Sequence, residues 1–318
     1  MVLRKGLLYQ LMSWAKMTPL VDQVLKAYGR SEQVKIQNLE HTEKLLRSLV
    51  SSGPQSLQVI TDFDATLSRY HVNGKKCESS YGVIAHSPLV TKKVKDEAIE
   101  LFDKYYPIEI NVSMTAEEKT PYMIEWYEKS HDSFLSSSPR LKLSQITEMA
   151  KDAHVILRDN SHKLLKTLHK ANIPALILSA GMGNLVEEIL KVNSVNLPNV
   201  KVIANFMKFD ETGTLKEFSE PVVHVYNKNE AVLHDDHTAY FENLKSRPNV
   251  ILMGDSLGDV NMASGVQEAS AVLKIGFLNT HFEEHLPAYM ESYDVVLVDD
   301  QSMDFINSIL DLVIYDAN

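Results

Sequence analysis

A disulfide, a basic surface and a long apolar run are all missing from these 318 residues. Cys77 is the only cysteine, so no internal bridge can form, and a reducing compartment is the natural home. Nothing near it in the chain would depress a thiol pKa, so it reads as a plain thiol rather than a nucleophile. No His and Cys cluster has the spacing of a zinc site. The formal net charge is −10 with no basic block, which argues against a nucleic-acid binder held through phosphates. The one apolar stretch near the start, Gly6–Met12, is interrupted by Gln10 and falls short of the roughly 18 residues that a membrane span needs. The favoured reading is a helix or frayed extension on a cytoplasmic protein with no membrane partner; the alternatives are a weak signal, an interfacial amphipathic helix and a mitochondrial targeting segment.

What is present follows an α/β rhythm. Residues 19–50 carry Leu20, Val21, Val24 and Leu25, then Leu39, Leu45, Leu46 and Leu49, at helical spacing. Ser51–Pro54 breaks that pattern before a short apolar run ending at Thr61. Asn73-Gly74 is a hairpin turn signal. From about 75 to 165 the segments Val90–Tyr106, Ala116–Ser136 and Ile146–Leu157 are helix-like and charged, with no strong strand among them. Ser161–Ala171 then reads as a helix. Ile173–Leu178, Val200–Asn205, Val250–Met253, Ala271–Ile275 and Val295–Val298 read as strands. Phe209–Gly213 is a hairpin-type turn, and Thr238–Leu244 reads as a helix. Strands alternating with helices predict a doubly wound parallel sheet. The expected divisions are a helical extension over 1–50, a core over 51–74 and 166–318, and an inserted helical cap over 75–165.

Four separated signals fall at expected strand ends or just beyond them: Asp62-x-Asp64-x-Thr66, Ser179-Ala180-Gly181, Lys228, and Gly254-Asp255-x-x-Gly258-Asp259. Parallel strands bring their carboxyl ends to one edge, where open α/β sheets bind ligands. Two carboxylates leaving one buried strand are costly to desolvate without a cation or a hydrogen-bond cage. The chemical reading is Asp62 as nucleophile and Asp64 as general acid/base beside a hard cation. Mg²⁺ matches the inventory, since it takes few carboxylates, several waters and a substrate phosphate. Taken singly, Ser179 reads equally as a helix cap, Lys228 as a solvated charge and Asp259 as a surface carboxylate.

The ordered set resembles the haloacid-dehalogenase superfamily of phosphohydrolases, over roughly residues 55–300. The second aspartate, Asp64, points to its phosphatase branch, and the long stretch before Ser179 places a cap between the first two motifs. Asp62–Tyr70, Tyr105–Glu109, Pro121–Tyr127, Lys129–His131, Phe206–Gly213, Tyr226–Lys228 and Gly254–Asp259 are similar to the cytosolic 5′-nucleotidase III group. Within it, Tyr105–Ile110, Ser79–Tyr81 and Asn227–Asn229 look more like the branch acting on 7-methylguanosine monophosphate than the pyrimidine-specific one. Ala65 departs from the group's usual methionine, with backbone donation to phosphate expected to survive. Gly82 stands where the group tends to carry asparagine near the base.

The resemblance implies a Rossmann-like core and a Mg²⁺-dependent 5′-nucleotidase working through an aspartyl phosphate on Asp62. Asp64 serves the departing ribose oxygen and then the water. Asp62, the Asp64 carbonyl and Asp255 hold the metal, while Ser179, Ala180 and Lys228 cradle phosphate and Asp259 supports them. Glu109 reads the base, flanked by Tyr70 and by one of Trp126 or Tyr127, with Ser130 as a further contact. The implied partner is a nucleoside monophosphate (7-methyl-GMP, also CMP and UMP), and the chain is expected to be a monomer. Phosphotransfer to a second nucleoside is a side activity that such an intermediate allows. Competing readings are a pyrimidine-specific nucleotidase, a small-metabolite phosphatase of the phosphoserine type, and a non-catalytic phosphate-binding scaffold.

Overall fold

The structure, a computed structural model, describes residues 18–111, 113–153, 155–229, 238–266 and 269–315. The extension read over residues 1–17 lies outside the described residues. In chain order the strands are β1 (Val34–Lys35), β2 (Leu57–Thr61), β3 (His71–Val72), β4 (Lys75–Lys76), β5 (Ala175–Met182), β6 (Val200–Asn205), β7 (Met207–Phe209), β8 (Leu215–Phe218), β9 (Asn249–Gly254), β10 (Ala271–Leu278) and β11 (Val295–Val298). The helices are α1 (Leu20–Tyr28), α2 (Leu39–Ser52), α3 (Ser80–His86), α4 (Lys92–Glu109), α5 (Ala116–Leu135), α6 (Leu143–Asp152), α7 (Ser161–Lys170), α8 (Gly183–Val192), α9 (Thr238–Glu242), α10 (Phe282–Ser292) and α11 (Asp304–Tyr315).

Seven strands make one sheet in the order β1-β11-β10-β9-β2-β5-β6, parallel throughout except for β1. Side-chain alternation explains why both faces are covered. Val59, Ala175, Ile177, Ile251 and Met253 point into a core shared with α1, α2, α7, α8 and α11. Their neighbours Ile60, Leu176, Leu178, Val250 and Leu252 point into a second core that holds Phe241 of α9 and Tyr289 of α10. Strands buried on both faces carry apolar runs rather than alternation, which is why β2, β5 and β9 were legible in the chain. The expected doubly wound α/β sheet is present.

The strand order also makes a switch point. From β2 the chain moves outward to β5 and β6, then returns across to β9 on the other side of β2. The carboxyl ends of β5, β2 and β9 therefore lie side by side, with Thr61 paired to both Ile177 and Met253. Ligands of open α/β sheets bind at such a point.

Two local readings need correction. Residues 19–50 are not helical throughout: Val34 and Lys35 pair antiparallel with Leu297 and Val296, so this segment completes the sheet edge. Tyr28 then donates to Asp300 Oδ2 at 2.9 Å, anchoring α1 on the loop after β11. The helix read at Ile146–Leu157 instead spans Leu143–Asp152, because Leu157 is drawn into a bridge with Ser68 beside the β2 exit.

Among the described residues, the segment between β4 and α7 is mainly helical and contributes no strand to a sheet. Thr115 and Glu118 close a capping box at the start of α5, satisfying two N–H groups that a helix start leaves open. α5 packs on the β7–β8 hairpin, where the His131 and Phe218 rings stack at 3.9 Å, and α6 packs on α8 of the core. At the β3–β4 turn Asn73 and Gly74 both take positive φ (51° and 76°), as a primed hairpin turn requires.

Candidate active site

β2 delivers Asp62 out of the sheet with its N–H on the Met253 carbonyl at 3.0 Å. Phe63–Leu67 then turns back tightly, and Ala65 sits in the left-handed region at φ +59°. For a residue with a Cβ that conformation costs energy, and the surroundings hold it in place. The Ala65 carbonyl accepts Arg158 Nη2 at 2.5 Å and Asn279 Nδ2 at 3.0 Å. Its N–H is taken by Ser68 Oγ at 3.0 Å, so the main-chain donor expected there for phosphate is already engaged.

The four separated motifs meet. Lys228 Nζ lies 2.5 Å from Asp62 Oδ1 and 2.6 Å from Asp259 Oδ1, and all three side chains are buried. Asp259 Oδ2 accepts the N–H groups of Asp255 (3.0 Å) and Ser256 (2.9 Å), so one carboxylate orients the lysine and shapes the Asp255 turn together. Thr66 Oγ1 donates to Asp255 Oδ1 at 3.2 Å. Neither Lys228 nor Asp259 is the solvated charge it reads as in isolation. Burial works against the Lys228 charge, yet Asp259 and Asp62 outweigh it and hold the ammonium above its ordinary range.

Asp64 is held by one residue. Ser80, the first residue of α3, donates its N–H to Oδ1 (2.7 Å) and its hydroxyl to Oδ2 (2.6 Å). Gly181 makes room for this: a Cβ there would overlap the Ser80 hydroxyl and stand 2.9 Å from Asp64 Oδ2. Ser179, in β5 where its register with β6 shifts, is buried and accepts the Gly181 N–H at 3.0 Å. The Ala180 carbonyl is fixed by Asn205 Nδ2 at 2.8 Å.

Oxygens of Asp62, Asp255 and Asp259 all lie within 4.8 Å of one another. Burial raises Asp62, Asp64 and Asp255 above the usual carboxylate range, and one lysine does not offset that many acids. An oxygen-only cluster with surplus negative charge fits a hard divalent cation.

The residues read as base contacts divide. Glu109 ends α4 and is half-buried; burial pushes its carboxyl up to about 7 against the pull of Lys228 and Lys119. Tyr127 is held above its ordinary range by burial first and then by the Glu109 charge. Trp126 instead stacks on Tyr105 at 5.8 Å and meets Phe102 edge-on. Ser130 is buried, with its hydroxyl on the Trp126 carbonyl at 2.8 Å. Tyr70 is carried by the β3 hairpin, its N–H on Gln301 Oε1 at 3.1 Å. Tyr106, not singled out in the chain, is raised by burial and then by Glu109, Tyr70 and Asp255, and its ring stacks on Phe102 at 4.6 Å. An open groove of about 600 Å³ between α4 and α5, lined by residues such as Glu97, Lys129 and Arg140, includes none of these groups.

Sequence reasoning missed three supports. Ser80 and Asn205 carry no local signal beyond being polar at an element's end. Arg158 is a charged residue that is 1% exposed, fixed by the main-chain carbonyls of Ala65, Thr66 and the distant Asp300. Cys77 is half-buried with its thiol raised by burial, in keeping with a plain thiol.

Known proteins resemble this chain in sequence and fold. The sequence profile of the pyrimidine 5′-nucleotidase (UMPH-1) family matches residues 65–314. The 7-methylguanosine phosphate-specific 5′-nucleotidase of Gallus gallus is 41% identical over 284 residues, covering 89% of this chain and 97% of that protein. Its Homo sapiens counterpart is 40% identical over 268 residues, covering 84% and 88%. The crystal structure of cytosolic 5′-nucleotidase IIIB bound to cytidine superposes with a TM-score of 0.84 at 36% identity, over 91% of this chain and 97% of that one.

Proposed function

Because the chain belongs to the pyrimidine 5′-nucleotidase (UMPH-1) family and is a 5′-nucleotidase of the haloacid-dehalogenase type, we propose that it hydrolyses nucleoside 5′-monophosphates through an aspartyl phosphate, with 7-methyl-GMP preferred and CMP and UMP also accepted. The observation that carries the reading is the meeting of Asp62, Asp255, Asp259 and Lys228 at one strand switch point. The relatives' names, 7-methylguanosine phosphate-specific in two of the three described, support the substrate order.

In this reading the Asp62 carboxylate attacks phosphorus, the P–O bond to ribose breaks, and Asp64 delivers a proton to the leaving oxygen. Asp64 then takes a proton from the water that attacks phosphorus, and Asp62 departs as carboxylate. Lys228, the Ser179 hydroxyl and the Ala180 N–H hold the phosphate oxygens, an arrangement that stabilises charge developing in flight. Asp62, Asp255 and the Asp64 carbonyl would hold Mg²⁺, which when bound screens the phosphate charge from the attacking carboxylate.

Residues 75–165 act as the cap that reads the base, on a core of 51–74 and 166–318. Glu109 only accepts hydrogen bonds when ionised, which suits the N–H edge of guanine or the amino edge of cytosine. A 7-methylated guanine is cationic, so Glu109 also attracts it, and Tyr70 with Tyr127 supplies aromatic faces worth about 0.5–2 kcal/mol to such a ring. Among the described residues no helix is long and apolar enough to cross a membrane. A cytoplasmic monomer is part of the proposal, supported by the lone cysteine and by the cytosolic name of the structural relative.

Phosphate release from 7-methyl-GMP, CMP, UMP and AMP, with and without Mg²⁺, tests the reading. The expected order is 7-methyl-GMP first and AMP last, with activity lost on chelation and in Asp62→Asn. Equal rates on all four remove the base reading, and turnover by Asp62→Asn removes the nucleophile.

A further inference from the structure

We propose that the Tyr226 hydroxyl is a specificity-determining positioning group: it fixes how far the carboxylate reading the base stands from the ammonium holding the phosphate. The inference rests on the roles proposed above for Glu109 and Lys228.

Glu109 is the last residue of α4, where a helix leaves carbonyls without partners. The Tyr106 and Ile108 carbonyls are taken by the N–H groups of Ile110 (3.1 Å) and Asn111 (3.2 Å). The Glu109 carbonyl takes two side chains instead: Lys119 Nζ at 2.9 Å and the Tyr226 hydroxyl at 3.1 Å. Lys119 is 8% exposed and belongs to α5, so its bond stays within the helical insertion. A cation also suits the negative end of a helix. Tyr226 reaches the same carbonyl from the core, and the Lys119 ammonium lies 5.7 Å from its ring centroid, within cation–π range.

The loop behind Tyr226 is rigid by construction. Asn205 holds Val223 through both its carbonyl (2.8 Å) and its N–H (2.9 Å). His224 donates its N–H to Asn227 Oδ1 at 2.7 Å, Asn227 Nδ2 donates to the Val222 carbonyl at 2.7 Å, and Tyr226 donates its N–H to His224 Nδ1 at 3.2 Å. Two residues after Tyr226, Lys228 is buried between Asp62 and Asp259. A braced loop thus grips the phosphate site at one residue and the main chain of the base-reading glutamate at another. A ligand joining base to phosphate gains by meeting both subsites at one preset separation, and loses that gain when the separation wanders. Its two halves, bound one at a time, are indifferent to the separation.

That difference supplies the test. Competitive inhibition constants are measured for a non-hydrolysable nucleoside 5′-phosphonate, for the nucleoside and for inorganic phosphate, on the Mg²⁺-loaded enzyme and on Tyr226→Phe. Binding of the phosphonate is expected to weaken about fivefold, the worth of one neutral hydrogen bond, while nucleoside and phosphate constants stay as in the unaltered enzyme. Lys119→Met removes a bond that stays within the helical insertion and leaves the Tyr226 bond in place, so it serves as the control: its ratio of phosphonate to nucleoside constants is expected to stay as in the unaltered enzyme, and the selective loss belongs to Tyr226→Phe alone. A phosphonate constant that does not change in Tyr226→Phe, or a parallel weakening of nucleoside or phosphate there, overturns the proposal. Glu109→Gln separates the underlying reading: it must weaken the nucleoside, and if it does not, the base role of Glu109 is wrong whatever Tyr226→Phe does.

Discussion

Replacing Arg158 by Met should destabilise the fold by about 3–5 kcal/mol and slow catalysis together. The guanidinium donates Nε to the Thr66 carbonyl at 2.6 Å, Nη2 to the Ala65 carbonyl at 2.5 Å and to Asn279 Oδ1 at 2.8 Å, and Nη1 to the Asp300 carbonyl. It lies 4.1 Å over the Phe277 ring. Hydrogen bonds from a charged donor contribute about 1.5–3 kcal/mol each, so four amount to roughly 6–12. Burial opposes this: it lowers the Arg158 pKa from the ordinary guanidinium value to about 10, roughly 3 kcal/mol against the charged form at about 1.36 kcal/mol per unit. Methionine recovers some packing but leaves buried carbonyls unpaired, which brings the expected loss to the lower part of that range. Domains are stable by only about 5–15 kcal/mol, so the effect is large. The assay is urea unfolding with the m-value compared between proteins, beside kcat for phosphate release. Because Ala65 and Thr66 shape the turn after Asp62, the proposed nucleophile, kcat should fall more than KM rises. A midpoint shift equivalent to less than about 1 kcal/mol with normal kcat would mean that the carbonyls are satisfied without the guanidinium.

Three further outcomes are expected. Gly181→Ala forces the Ser80 hydroxyl off Asp64 and should lower kcat at least tenfold with a near-normal fold by circular dichroism; unchanged kcat would show that the Ser80 contacts do not matter to turnover. Asn205→Ala leaves the Ala180 carbonyl and both main-chain groups of Val223 without their partner, so a loss of about 2–4 kcal/mol is expected in the same unfolding assay, and a neutral result would refute the bracing role. His131, stacked on Phe218 with a buried ring nitrogen, is lowered by burial from 6.5 to about 4. A base with a depressed folded pKa contributes stability that is present above 6.5 and lost as pH falls toward 4, up to about 3 kcal/mol. Glu109, raised to about 7, acts in the opposite sense, its contribution present below 4.5 and lost as pH rises through 7. His131→Phe should therefore flatten the acid side of the stability curve, and an unaltered acid limb would count against the assignment.

Much of this protein was legible one residue at a time. The buried strands announced themselves as apolar runs because both faces of the sheet are covered, and burial of β2, β5 and β9 bears this out. Asn73-Gly74 announced its hairpin because positive φ at two successive positions favours those residues. The charged and hydroxyl motifs stood at strand exits, and parallel strands must gather their exits on one edge. Less was legible where identity is weak and partners are distant. Val34 and Lys35 look like any polar connection until Leu297 and Val296 offer them a sheet edge.

Composition and local pattern determined the α/β class, the strand ends and the chemical types available at them, because backbone periodicity and turn preferences act over a few residues. Only the tertiary structure decided that Ser80 would clamp Asp64, that Arg158 would fasten the turn after Asp62 from 92 residues away, and that Tyr226 would reach across to Glu109. Those assignments depend on which buried carbonyls and carboxylates lack a partner after the strands have paired, and a group's need for a partner is set by burial, which no single stretch of chain specifies.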